Sequence, residues 1–192
     1  MIALGLALIC PGRSRATNLL ANPNFDGVVS PWSLLLQGSL DYASEDRRAC
    51  TMSGSAALVF LSGDTEAALI STCVPVVASA IIRGQAEIRR VMGAAPEVHV
   101  EAVLYRSGDC SNPIGAGAGV LQISDFNWST RDTAGIGDGA PVDHSAQLII
   151  RVLNSSGDPT TLIVDEAYLG NGQDIFADSF EEAELCRWLE GP

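Results

Sequence analysis

The sequence predicts an all-β fold: two antiparallel sheets packed as a jelly-roll β-sandwich, with a short C-terminal tail that is helical or irregular. Three observations predict it. Apolar and polar residues alternate with period two in several runs, the pattern of strands that bury one face and solvate the other. Turn signals such as Ser-Gly, Gly-Asp, Asn-Pro, Gly-Asp-Gly and Gly-Asp-Pro separate those runs at short intervals. No long stretch has helical periodicity, and strands do not alternate with helices, which argues against a parallel α/β sheet.

Taken in chain order, the strand candidates are residues 32–37, 56–61, 67–77, 80–90, 97–106, 120–126, 145–154 and 160–169. The segment Gly115-Ala116-Gly117-Ala118-Gly119 is expected as a flexible loop that opens no helix, so it is no phosphate cradle. Alternation is cleanest in three runs. In 80–90, Ile82, Ala86 and Ile88 share one face against Arg83, Gln85, Glu87 and Arg89. In 97–106, Val98, Val100, Ala102 and Leu104 oppose Glu97, His99, Glu101, Val103 and Tyr105. In 145–154, Ala146, Leu148, Ile150 and Val152 oppose Ser145, Gln147, Ile149 and Arg151. If these three strands are neighbours, their wet faces merge into one polar patch. Ser179 followed by Glu182 fits a capping box that opens a short helix in the tail.

The 192 residues suit one domain, with a net charge of -12 and arginine as the only strongly basic side chain. That balance argues against nucleic acid and against an anionic membrane surface. The apolar run Met1–Ile9 is too short to span a bilayer and reads as a signal-peptide core whose true start is expected upstream, because no basic residue precedes it, with cleavage after Ser14-Arg15-Ala16. The expected organisation is a signal segment (1–16), a sandwich domain (17–170) and an acidic tail (171–192), in a secreted or periplasmic protein. Loss of Arg13 and Arg15 leaves 9 basic and 23 acidic residues, a net charge of -14. Four cysteines then remain, and export favours disulfides. Cys73 with Cys110 is the preferred pair, Cys50 with Cys73 the second, and Cys186 is left over; closing the first loop is worth about 4 kcal/mol.

The opening Asn18-Leu19-Leu20-Ala21-Asn22-Pro23-Asn24-Phe25-Asp26-Gly27, followed by Trp32, resembles the start of CenC-type carbohydrate-binding modules of the galactose-binding-like jelly-roll superfamily. The likeness continues in Ser53-Gly54-Ser55-Ala56-Ala57-Leu58, in Trp128 before Ala140-Pro141, and in Val164-Asp165-Glu166-Ala167-Tyr168-Leu169. The tail Ile175-Phe176-Ala177-Asp178-Ser179-Phe180-Glu181 is similar to a short acidic ending of secreted proteobacterial proteins, where glycine usually stands in place of Ser179. The resemblance implies the jelly roll, and with it glycan binding. Trp32 and Trp128 fall at family positions that read as core. It also implies a structural calcium ion on Asp26 and Asp165, whose hard oxygens suit that ion.

Sugar recognition needs rings against pyranose faces and planar polar groups on the hydroxyls. The wet patch offers Arg83, Gln85, Glu87, Arg89, His99, Glu101, Tyr105, Gln147 and Arg151 as candidate carbohydrate contacts, with Tyr42 in a loop beside them. Aromatics are only 6% of the chain, and Tyr105 alone supplies a ring within the patch. No nucleophile elbow, metal-ligand His pair or phosphate loop points to an enzyme. The sequons at Asn127 and Asn154 matter only where such sites are glycosylated. The reading is a non-catalytic module that binds a poly- or oligosaccharide through a polar sheet face. Its rival is a surface or adhesion sandwich that engages a protein partner, through the acidic tail, and no glycan.

Overall fold

The computed structural model describes residues 18–48, 53–77, 80–137, 139 and 144–171. The expected signal segment, Cys50, Cys186 and the tail beyond Asn171 lie outside them. Eleven strands and no helix occupy the described residues. They are β1 (Ser33–Leu36), β2 (Ser39–Ala43), β3 (Ser55–Phe60), β4 (Glu66–Ile70), β5 (Val74–Val76), β6 (Ile82–Met92), β7 (Glu97–Tyr105), β8 (Pro113–Gln122), β9 (Ser129–Asp132), β10 (His144–Leu153) and β11 (Thr160–Asn171). All pairings are antiparallel. One sheet has the order β1-β4-β10-β7-β8, with β5 also on β10; the other runs β2-β3-β11-β6-β9. The chain is a two-sheet β-sandwich.

The period-two pattern explains the layering. Val98 and Val100 on β7 and Leu148 and Ile150 on β10 point inward from the first sheet. Leu58 on β3, Ile88 on β6 and Leu162 and Val164 on β11 point inward from the second. All eight are fully buried. Each such side chain contributes roughly 1.5–3 kcal/mol by leaving water. The N-terminal segment joins this core. Leu19 N–H donates to the Leu169 carbonyl at 2.8 Å, and Ala167 N–H donates to that of Pro23 at 3.0 Å. Phe25 and Trp32 lie with ring centroids 5.3 Å apart, and the Trp32 indole N–H donates to the Asn22 carbonyl at 3.1 Å. Trp32 is the core residue the sequence suggests.

Two expectations are corrected. The run 67–77 is two strands, not one. Ser71 breaks it by accepting the Leu148 N–H on its hydroxyl, and Pro75 has no N–H to give to the β10 ladder. The glycine-rich segment 115–119 is no loop but the middle of β8, paired with β7 from Glu97 to Tyr105. Its glycines alternate with alanines, so all three glycines face the same way. A Cβ on Gly117 would overlap the Ala134 carbonyl oxygen, and one on Gly119 that of Asp132; at Gly115 it would stand 3.0 Å from Ile136 Cδ1. The chain following β9 therefore lies backbone to backbone across β8, where the two sheets meet. Only glycine permits that approach.

Cys73 and Cys110 form a disulfide, with Cα atoms 5.7 Å apart. It ties the entry of β5 to the loop between β7 and β8.

Candidate functional site

The nine polar side chains expected on one patch are divided between the two outer faces. β6, with Arg83, Gln85, Glu87 and Arg89, belongs to the second sheet. β7 and β10, with His99, Glu101, Tyr105, Gln147 and Arg151, pair within the first, where Arg151 stands opposite His99. The reason is the core itself. The apolar sets of β6 and of β7 and β10 face one another across the interior, so their polar sets must point in opposite directions.

The β7–β10 face is satisfied by its own members. Arg151 Nη1 lies 2.7 Å from Glu66 Oε1, and its Nε lies 3.4 Å from Glu101 Oε1. The Glu66 bond leads the interactions that raise the Arg151 pKa. His99 Nε2 is 2.5 Å from Glu97 Oε1, and the Gln147 amide donates to the Ser71 carbonyl at 3.1 Å. Tyr105 is the one aromatic residue that the strands of this sheet contribute, and it is 8% exposed. Burial first, and then the Glu101 charge, pushes its hydroxyl pKa up. It offers no open platform for a sugar ring.

The β6 face is different. The loop after β2 lies over its middle. Arg47 N–H donates to Asp165 Oδ2 at 2.8 Å, the Arg47 Nε approaches Glu87 at 3.6 Å, and the Arg48 Nε pairs with Glu166 Oε1 at 2.5 Å. Arg89 pairs with Glu45, and the Thr130 hydroxyl donates to Glu87 at 2.5 Å. Glu166 occupies a β-bulge of β11 at φ 46°, a left-handed conformation rare for a side-chain-bearing residue. Its N–H donates to Asp165 Oδ1 at 2.7 Å. Asp165 is wholly buried, and that burial pushes its carboxyl up to about 7 despite the two N–H donors; the charges of Asp46 and Glu166 push the same way. Burial also raises Glu166.

One aromatic ring, Trp128, stands beside Arg89 at an end of this face, whereas Phe126 packs on Arg90, which stands opposite the inward Leu162. Trp128 is half-buried and stands outside the core cluster, which corrects its expected place in the core. The Arg89 guanidinium lies 5.6 Å from its ring centroid. Phe126 is 56% exposed, with the Arg90 guanidinium 4.3 Å from its ring. Trp128 escapes a sequence reading because its surroundings depend on β9, a four-residue edge strand with no alternation of its own. Tyr42 lies on β2 rather than in a loop, and its hydroxyl donates to the Ser53 carbonyl at 3.4 Å.

Of the two residues named for calcium, Asp165 is buried in the strand. Asp26 is exposed in a turn, where its N–H donates to Asn22 Oδ1 at 2.7 Å. Among the described residues no group of three or more His, Cys, Asp or Glu is arranged to hold a metal ion. Asp165 and Glu87 do not form an acid/base pair for hydrolysis, because Asp165 has no exposed surface for a substrate to reach.

No protein-family model and no curated protein matches the chain. Solved structures do. The second family 16 carbohydrate-binding module superposes with a TM-score of 0.51 at 14% identity, covering 79% of this chain and 99% of that one. The CBM22-2 xylan-binding domain of Paenibacillus barcinonensis Xyn10C superposes with 0.55 at 11%, covering 77% and 95%. The sandwich is similar to those of carbohydrate-binding modules. An arabinose-bound GH51 α-L-arabinofuranosidase gives 0.61 at 11% over 80% of this chain, which spans only 26% of that enzyme. At such identities the likeness establishes the fold.

Proposed function

We propose that the chain is a secreted, non-catalytic module that binds a poly- or oligosaccharide on the outer face of the β6 sheet, at the end marked by Trp128. The observation that carries this reading is the half-exposed Trp128 ring beside Arg89, whose guanidinium is paired with Glu45. A ring to lie under a pyranose and flanking charged groups for its hydroxyls are what sugar binding requires. The matched carbohydrate-binding modules, which this chain covers nearly end to end, support the same reading. The Cys73–Cys110 disulfide supports export to an oxidising compartment.

A glycan array followed by titration tests it. The parent domain binds at least one glycan, Trp128→Ala loses about 10-fold or more of that affinity, and the fold is unchanged by circular dichroism. No binding to any glycan would overturn the reading.

A structural calcium ion belongs to the same proposal, with Asp165 and Asp26 as its carboxylates. The burial of the Asp165 carboxyl, with no cation among the described residues to offset its charge, supports it, as does the N-terminal turn, which reaches the β11 bulge through Pro23 and Ala167. Calcium should then raise the melting temperature at pH 7.5 relative to chelator. Identical curves would remove both residues from the site.

A further inference from the structure

Among the described residues, Arg83 is the half-buried arginine whose side chain has no hydrogen-bond or ion-pair partner. Arg47, Arg48, Arg89 and Arg151 pair with carboxylates, and Arg90 and Arg131 donate to backbone carbonyls. Arg106, the other described arginine whose side chain has no such contact, is exposed. Several arginines have an unbonded buried Nε, but only Arg83 has one without another nitrogen engaged. A buried donor left unbonded costs about 1–3 kcal/mol, more for a charged group. The position is flanked by glycine on both sides. Gly170 faces it across the β11–β6 pair, and on the other side a Cβ at Gly135 would stand 3.2 Å from Arg83 Nε. Gln85 follows two residues on along the same face, and Tyr168 stands opposite Gln85.

A guanidinium set between Gly170 and the Gly135 backbone, with Ile81, an amide and a phenol ring beside it, matches a sugar unit that carries a carboxylate. We propose that Arg83 receives that carboxylate: the module selects glycans containing uronic acid units, one of which sets its carboxylate on the Arg83 fork and a hydroxyl on Gln85. The planar carboxylate accepts two parallel N–H bonds from arginine, and such charge-assisted pairs are about twice as strong as neutral ones. Neutral sugar hydroxyls would leave the charge uncompensated. Trp128 lies about 15–20 Å from Arg83 along β6, and the loop after β2 stands over Glu87 between them, so the uronate unit is held at the Arg83 end of the face. The net charge of -12 opposes a polyanion at long range, but at about 0.1 M salt that repulsion is screened beyond roughly 10 Å and the local guanidinium governs.

This inference rests on the glycan reading above, and the experiment separates the two. The domain is titrated with polygalacturonate, with the same polymer after its carboxyls are reduced to alcohols, and with a sulfated galactan. The parent should bind the acidic polymer about 10–100-fold more tightly than the reduced one, and more tightly than the sulfated one. Arg83→Ala should erase that preference, Arg83→Lys should keep part of it, and Arg106→Ala should keep all of it. Equal affinity for the acidic and reduced polymers, an undiminished preference in Arg83→Ala, or equal binding of the sulfated galactan overturns the uronate assignment while leaving glycan binding intact. Failure to bind these polymers and every glycan of the array overturns both.

Discussion

Asp165 and Glu87 stand directly opposite each other across the β11–β6 pair, two carboxylates on one covered spot of the second sheet. Like charges so placed repel. Glu87 is compensated by Arg47 and by the Thr130 hydroxyl. Asp165 accepts two backbone N–H groups, and it holds its proton to about pH 7.

That proton makes stability depend on pH. Folding raises the Asp165 pKa from an ordinary 3.8 to about 7, so the folded chain keeps a proton that the unfolded chain has released. The contribution is complete at pH values below about 4 and disappears as pH rises toward 7, a loss of up to about 4 kcal/mol. Glu166 acts in the same direction. In chelator, the melting temperature should fall between pH 5 and pH 8, and Asp165→Asn should flatten the slope. A parent curve that is flat over that range counts against the buried-acid account.

The glycine face of β8 yields a second expectation. Gly117→Ala puts a methyl group where the Ala134 carbonyl lies, and should destabilise by about 1–3 kcal/mol or more, as overpacking does. Gly108→Ala, where nothing stands within 4 Å, should cost far less. Urea denaturation of the two variants decides the matter, and equal midpoints would refute the close packing of β8 on the chain after β9.

Removing the disulfide tests its share of the stability. Its half-cystines are 37 residues apart in sequence, which corresponds to about 4 kcal/mol in the chain-entropy treatment. The double variant Cys73→Ala, Cys110→Ala should lower the denaturant midpoint accordingly. A change under about 1 kcal/mol would mean that the loop between β7 and β8 is held by its other contacts.

On the β7–β10 face, Arg151→Ala combined with His99→Ala should leave glycan affinity within about twofold, because those side chains are engaged with Glu66, Glu101 and Glu97. The stability cost should be small, about 0–1 kcal/mol per exposed pair. A tenfold loss of binding would move the site to this face.

Much of the sandwich is legible in period two. Val98, Val100, Leu148, Ile150 and Ile88 sit at the inward positions their alternation assigns, and all are fully buried. Alternation says nothing about which sheet a strand joins, and on that point the expected single patch came apart. In 115–119 glycine composition suggested a loop, although glycine and alanine alternate there with the same period; the pattern was present and the residue type masked it. The setting of Arg83 was not legible at all. That setting depends on Gly135 and Gly170, which are remote in sequence from Arg83 and from each other. Trp128 likewise owes its exposure to an edge strand that carries no pattern.

Asn154 is buried, and its side-chain amide donates to the carbonyls of Asp64 and Asp158, whereas Asn127 is exposed and immediately precedes Trp128. The choice of production host is therefore not neutral. A secretory pathway that modifies Asn-Xaa-Ser would pass over the first sequon and attach an oligosaccharide at the second, beside the ring on which the proposed ligand rests. Inactive material from such a source would report the host's enzymes, and unmodified protein or Asn127→Gln is the sample on which binding should be judged.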